Sequence, residues 1–213
     1  VVREPPRPAG THAPYRRVLD AMVADGADII DVGGESTRPG AAAVWEGDEI
    51  KRVLPAVEYC VNMGAAVSVD TRRAGVMEEA LKAGATLVNA VSAGRHDPRS
   101  LELVAAHGAA VVLMHAPGAG QNPHEGGEYR DVVAEVFDFL AGRRDAAFAT
   151  GGAKGRVVLD PGIGFGKSLA DNLALLNALP LFHALGCPLM VGASRKRMIG
   201  ALSNEAPADQ RLG

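Results

Sequence analysis

The chain has 213 residues, 47% hydrophobic and 22% charged, an ordinary globular mixture with enough apolar material for a sizeable core, which argues against disorder. Its 22 basic and 25 acidic side chains leave a net charge of −3, so a nucleic-acid partner is not expected. Cys60 and Cys187 stand far apart without a CxxC, which fits a reducing, cytoplasmic setting, and no apolar run approaches the roughly 18 residues of a membrane span.

In chain order, residues 1–13 read as an irregular tail, and helical spacing over 14–25 leads into an apolar strand at 28–32. Strand and helix then alternate: strands at 66–69, 86–91, 110–114, 157–160 and 189–192, helices at 45–62, 75–83, 98–107, 129–150, 169–179 and 196–202. A Gly-Ala pair at Gly26, Gly64, Gly84 and Gly108 separates helix from next strand, where glycine can end a helix in the left-handed conformation. The pattern is a series of βα units, and the fold class is α/β.

Polar residues gather at the other strand ends, in 31–38 and 70–72, at Asn89, His115 and Asp160, and in 194–196. In a (β/α)₈ barrel or an open α/β sheet those carboxyl ends form the ligand-binding face. A doubly wound nucleotide-binding sheet is disfavoured by the turn Asp160-Pro161-Gly162-Ile163-Gly164-Phe165-Gly166-Lys167-Ser168. A P-loop needs glycine where Pro161 stands, and the dinucleotide fingerprint needs it where Lys167 stands. The reading is a TIM (β/α)₈ barrel with about six of its eight units present, a single domain over 1–213 that is incomplete at both ends.

Each strand-end group has a bland alternative. Asp70 could cap the following helix, and Asn89 and Asp160 could be turn formers. Their alignment on one rim favours a shared site. Ser194-Arg195-Lys196 places two cations at a helix start, unfavourable for its dipole unless an anionic ligand offsets them. His115 could touch ligand or be structural. The six histidines show no zinc spacing, and no GxSxG elbow marks a serine nucleophile.

Four segments in order strongly resemble the dihydropteroate synthase family: Asp31-Val32-Gly33-Gly34-Glu35-Ser36-Thr37-Arg38-Pro39-Gly40, Ser68-Val69-Asp70-Thr71, Asp160 through Lys167, and Gly192-Ala193-Ser194-Arg195-Lys196. The resemblance implies a pterin-binding TIM barrel, usually a homodimer and a sulfonamide target. It joins 6-hydroxymethyl-7,8-dihydropterin pyrophosphate to p-aminobenzoate, with Mg2+, in folate biosynthesis. By match, Asp70, Asn89, Asp160 and Lys196 would hold the pterin between apolar walls from Met114 and Phe165. Thr37, Arg38, Ser194 and Arg195 would border p-aminobenzoate and pyrophosphate, and Asp70, Arg38 and Lys196 would carry the catalysis.

The family's Asn-Val-Thr-Pro-Asp-Ser-Phe loop, whose asparagine approaches magnesium, is not found in 1–11, so no metal ligand is expected in this chain. Nor is its terminal Arg-x-His strand found, so the first and last barrel strands are expected to be missing and the strands at 28–32 and 189–192 to be open edges. Ala90 stands where the family usually has aspartate, which would weaken support for Asn89. Two rival readings are a methyltetrahydrofolate-binding corrinoid methyltransferase of the same superfamily and a non-catalytic pterin-binding paralogue.

Overall fold

Six short segments among the described residues form one all-parallel sheet: β1 (Val2–Arg3), β2 (Ile29–Gly33), β3 (Ala66–Asp70), β4 (Leu87–Ala90), β5 (Ala110–Met114) and β6 (Val157–Asp160). The computed structural model describes residues 2–3, 13–36, 42–118, 127–203 and 207. Between strands run α1 (Ala13–Ala24), α2 (Glu46–Asn62), α3 (Ala74–Lys82), α4 (Ser100–Ala106) and α5 (Val132–Ala149); α6 (Leu169–Asn177), α7 (Leu179–Phe182) and α8 (Arg197–Leu202) follow β6. Spatial order equals sequence order, β1 to β6. Right-handed crossovers that always step the same way put every helix on one side, as in a barrel wall; a doubly wound sheet would reverse direction.

Period-two alternation sorts the strand residues. Ile30, Val32, Val67, Val69, Val88, Ala90, Val111, Leu113, Val157 and Leu159 all belong to the core cluster shared with the helices. Their neighbours Asp31, Gly33, Ser68, Asp70, Asn89, Val112, Met114 and Asp160 therefore occupy the opposite, interior face. The helices answer with matching stripes: Val53, Val57 and Cys60 on α2 are buried at spacings of four and three, each valine contributing roughly 1.5–3 kcal/mol.

Four helices end alike. After α1, α2, α3 and α4 the glycines at 26, 64, 84 and 108 have φ between +62° and +104°. In each case the next residue's N–H reaches five positions back, as from Ala65 to the Cys60 carbonyl at 3.0 Å. That is the Schellman closure the Gly-Ala pairs announce. At the other end, α6 opens with a reciprocal capping box between Ser168 and Asp171. Ser168→Ala should lower stability by about 1 kcal/mol in urea unfolding, while Leu169→Ala, partly exposed beside it, should cost less.

Two sequence expectations fail at the sheet ends. Within the 1–13 tail, Val2 and Arg3 pair in parallel with Val32 and Gly33, so β2 is flanked on both sides over those rungs. Pairing satisfies edge groups that would otherwise stand open. At the far side, 189–192 is not a strand but a single bridge, Leu189 to Leu159, made by Leu159 N–H to Pro188 and Met190 N–H to Leu159, both at 2.9 Å. The next rung would need an N–H from residue 161, which is proline.

Candidate active site

At the carboxyl end of β3, Asp70 is 3% exposed and is the register partner of both Gly33 and Asn89. The Ala74 N–H at the start of α3 is met by Asp97 from the β4–α4 connection at 3.2 Å. Asp70 itself is a buried carboxylate at the mouth. Gly33 packs beside it, where even an added Cβ would be in ordinary contact with Asp70 at 3.4–3.5 Å.

Asn89 is no turn former. Its amide nitrogen donates to Asp31 Oδ2 at 3.1 Å, reaching past β3 across the interior face. A carboxylate only accepts, so this bond fixes which end of the amide faces Asp31. Ala90 points the other way, into the helix-facing core at 1% exposure, and support for Asn89 comes from Asp31 instead. Asp31 lies inside a quoted motif, yet only strand parity, two residues before Gly33, signals its place.

The second half of the mouth is built by β5, β6 and the turn after β6. Met114 and Asp160 are register partners, 3% and 4% exposed. Asp160 Oδ1 accepts the Gly162 N–H at 2.7 Å, so its turn-forming role is real and uses one oxygen. Burial pushes the Asp160 carboxyl up to about 6, against the Gly162 N–H and the charges of Lys196 and Lys167. The Lys196 ammonium lies over the Phe165 ring, 3.9 Å from its centre. Ser194 and Arg195 are exposed just before, Arg195 in the left-handed region at φ +57°.

His115 lies in a cluster of aromatic rings. Its ring packs edge-on to Phe139 at 4.8 Å and against Tyr129 at 6.0 Å, 6% exposed. Burial, then the charges of Lys167 and Arg95, push it down to about 3, so it is neutral. Its backbone extends the ladder by donating to Asp160 at 2.9 Å.

Beside β3 a buried ion network ties three elements together. Glu49, fully buried on α2, accepts from Thr71 at 2.7 Å and from Arg73. Arg73 also reaches Glu35 at 3.1 Å and the Val44 carbonyl at 2.7 Å, and Glu35 accepts the Val44 N–H at 3.0 Å. Burial pushes Glu35 up, but the Val44 amide, Arg73 and Arg72 hold it below the usual carboxylate range. A side chain at Gly34 would come within 2.9 Å of Glu49 and Val53, so the second glycine of the motif lets α2 approach.

The structure thus brings Asp70 beside Asn89, Met114 beside Asp160, and Lys196 onto Phe165, all on the carboxyl side of one sheet. Thr37 and Arg38 lie outside the described residues. An open groove lined by Trp45, Arg73, His96 and Asp97 shares none of these groups. Among the described residues no three His, Cys, Asp or Glu side chains converge to hold a metal.

Residues 15–213 match the family model described as pterin binding enzyme. The dihydropteroate synthase of Mycobacterium leprae is 52% identical over 184 residues, 85% of this chain and 64% of that protein. This chain therefore spans somewhat under two thirds of that relative. The Xanthomonas albilineans dihydropteroate synthase structure with 4-aminobenzoic acid superposes with a TM-score of 0.87 at 43% identity, over 97% of this chain and 74% of that one. The Thermus thermophilus enzyme in complex with 6HMPPP gives 0.81 at 47% identity, over 92% and 72%. Matched by that family model over 15–213 and by these relatives, the chain belongs to the pterin-binding enzymes, in the dihydropteroate synthase family.

Proposed function

We propose that the protein condenses 6-hydroxymethyl-7,8-dihydropterin pyrophosphate with p-aminobenzoate, giving 7,8-dihydropteroate and pyrophosphate. The observation that carries this is Asp160: a buried carboxylate at a strand end, one oxygen held by its own turn, with an aromatic wall at Phe165 and lysines on either side. Such a group suits the adjacent N–H donors of a pterin edge, and a site built around it rejects analogues that leave it unpaired. The likeness to synthases holding 4-aminobenzoic acid and 6HMPPP supports the same substrates here.

In this reading Asp160 accepts from the 2-amino group and ring N–H, Met114 and Phe165 sandwich the ring, and Asn89 and Lys196 complete its polar contacts. The bond from the exocyclic methylene to pyrophosphate breaks with its electron pair leaving on oxygen. The carbon's developing positive charge is shared with the electron-rich ring, where the Asp70 carboxylate stabilises it. The p-aminobenzoate nitrogen then bonds to that carbon and sheds a proton to solvent. In the same reading Ser194 and Arg195 border that side. The reading includes a cytoplasmic homodimer; no helix among the described residues is long and apolar enough to cross a membrane.

The test is formation of 7,8-dihydropteroate from the two substrates, with Asp70→Asn and Asp160→Asn as variants. Asp70→Asn should lower kcat by about 10²-fold or more, and Asp160→Asn should mainly raise KM for the pterin substrate, by about 10-fold or more. Full turnover in Asp70→Asn would show that its charge plays no part, and a chain that binds neither dihydropterin nor its pyrophosphate would defeat the assignment.

A further inference from the structure

The turn after β6 is wound around one ammonium group. Lys167 Nζ donates to the carbonyls of Gly162 at 2.9 Å, Phe165 at 3.1 Å and His115 at 3.3 Å, which uses all three of its hydrogens. Two acceptors belong to the turn and the third to the end of β5. From outside, buried Asn172 on α6 accepts the Gly164 N–H at 2.7 Å and donates to the Lys167 and Ser168 carbonyls. Asn172 shapes the turn without any charge. A shape requirement alone would therefore not call for a cation inside it, where burial makes a charge costly.

We propose that Lys167 is a positioning residue for the pterin half of the site: its ammonium fixes the turn that carries Asp160 and Phe165 and keeps the Asp160 carboxylate ionised as an acceptor. This rests on the reading that Asp160 grips the pterin. The groups facing Asp160 are the Gly162 N–H, Lys167 and Lys196, while Lys167 also senses Asp171 on α6. His115, just after β5 and pushed down to about 3 by burial, adds no charge. Burial pushes Lys167 down to about 7 and Asp160 up to about 6, so each sits where a lost partner is felt. Removing the cation raises Asp160 further; loss of the turn's shape would do so as well, by breaking the Gly162 N–H bond, and the charge-conserving Lys167→Arg separates the two.

The experiment is calorimetric binding of 6-hydroxymethyl-7,8-dihydropterin to the full chain between about pH 5 and about pH 8.5 for the wild type, Lys167→Met and Lys167→Arg. Wild-type affinity should fall on the acid side as Asp160 takes up its proton, and Asp160→Asn should abolish that dependence. Lys167→Met should bind about 10-fold or more weakly and move the acid midpoint upward by about one pH unit. Lys167→Arg, which keeps the charge, should hold the wild-type midpoint even where its affinity is lower. A uniform loss with an unmoved midpoint in Lys167→Met, or a Lys167→Arg midpoint displaced like that of Lys167→Met, overturns the proposal. So does a wild-type profile without an acid limb, which needs no variant. Failure of the wild type to bind the dihydropterin at any pH is a different result: it overturns the functional reading, and this proposal with it.

Discussion

Gly162→Ala is expected to give no stably folded protein, with a loss of about 4 kcal/mol or more where any folded fraction can be measured by urea unfolding. Gly162 sits at φ +70°, and a Cβ there would overlap the His115 carbonyl oxygen, which is backbone and already accepts from Lys167. Neither neighbour can yield: His115 is locked into the ladder through its N–H to Asp160, and the Gly162 N–H is locked onto the Asp160 carboxylate. Gly64→Ala is the control. Its φ is +79° but nothing lies within 4 Å of the added carbon, so only the left-handed penalty of about 1–2 kcal/mol is expected. Equal losses at the two sites would show that conformation, not the collision, governs Gly162.

Arg73→Met is the second large effect, a loss of about 3–5 kcal/mol near neutral pH, because it leaves the fully buried Glu49 without its cation. Burial already holds the Glu49 carboxyl above its ordinary value, against the Thr71 hydrogen bond and the Arg73 charge. With Arg73 gone it rises further. A carboxyl whose folded-state pKa is raised binds its proton more tightly folded than unfolded, so the deficit is greatest above the folded value and shrinks as pH falls toward the unfolded one. Urea unfolding at about pH 5 and about pH 7.5 should show the gap to wild type narrowing at the lower pH. Adding Glu49→Gln should recover part of the loss at the higher pH, since an amide buried beside Thr71 carries no charge. A gap independent of pH would place the damage elsewhere, at the Glu35 and Val44 contacts that Arg73 also makes.

Both predictions concern groups that serve the site from behind. Glu35 and Arg73 between them take the N–H and the carbonyl of Val44, tying the chain after the second glycine of the Gly33-Gly34 pair to the end of β3, where Asp70 stands. Lys167 and Asn172 do the same for the β6 turn and Asp160. The mouth is thus braced by hydrogen bonds next to its carboxylates.

Local chemistry was enough to read the βα rhythm, because hydrophobic period and Gly-Ala punctuation are properties of neighbours in the chain: β5 and β6 fall where the pattern puts them, and the four glycine stops close as expected. Their places at the ends of three strands also put Asp70, Asn89 and Asp160 on one rim. What lay beyond the sequence were contacts between residues far apart in it. Asp97 meets the first amide of α3, Asp31 holds Asn89 across an intervening strand, and Lys167 reaches the residue that follows β5. Hydrogen bonds form wherever folding brings donors within about 3 Å of acceptors, and no spacing along a chain encodes which distant pair will meet. Edge pairing obeys the same rule: Val2 and Arg3 became a strand because β2 offered open groups, and 189–192 did not because Pro161 withheld one.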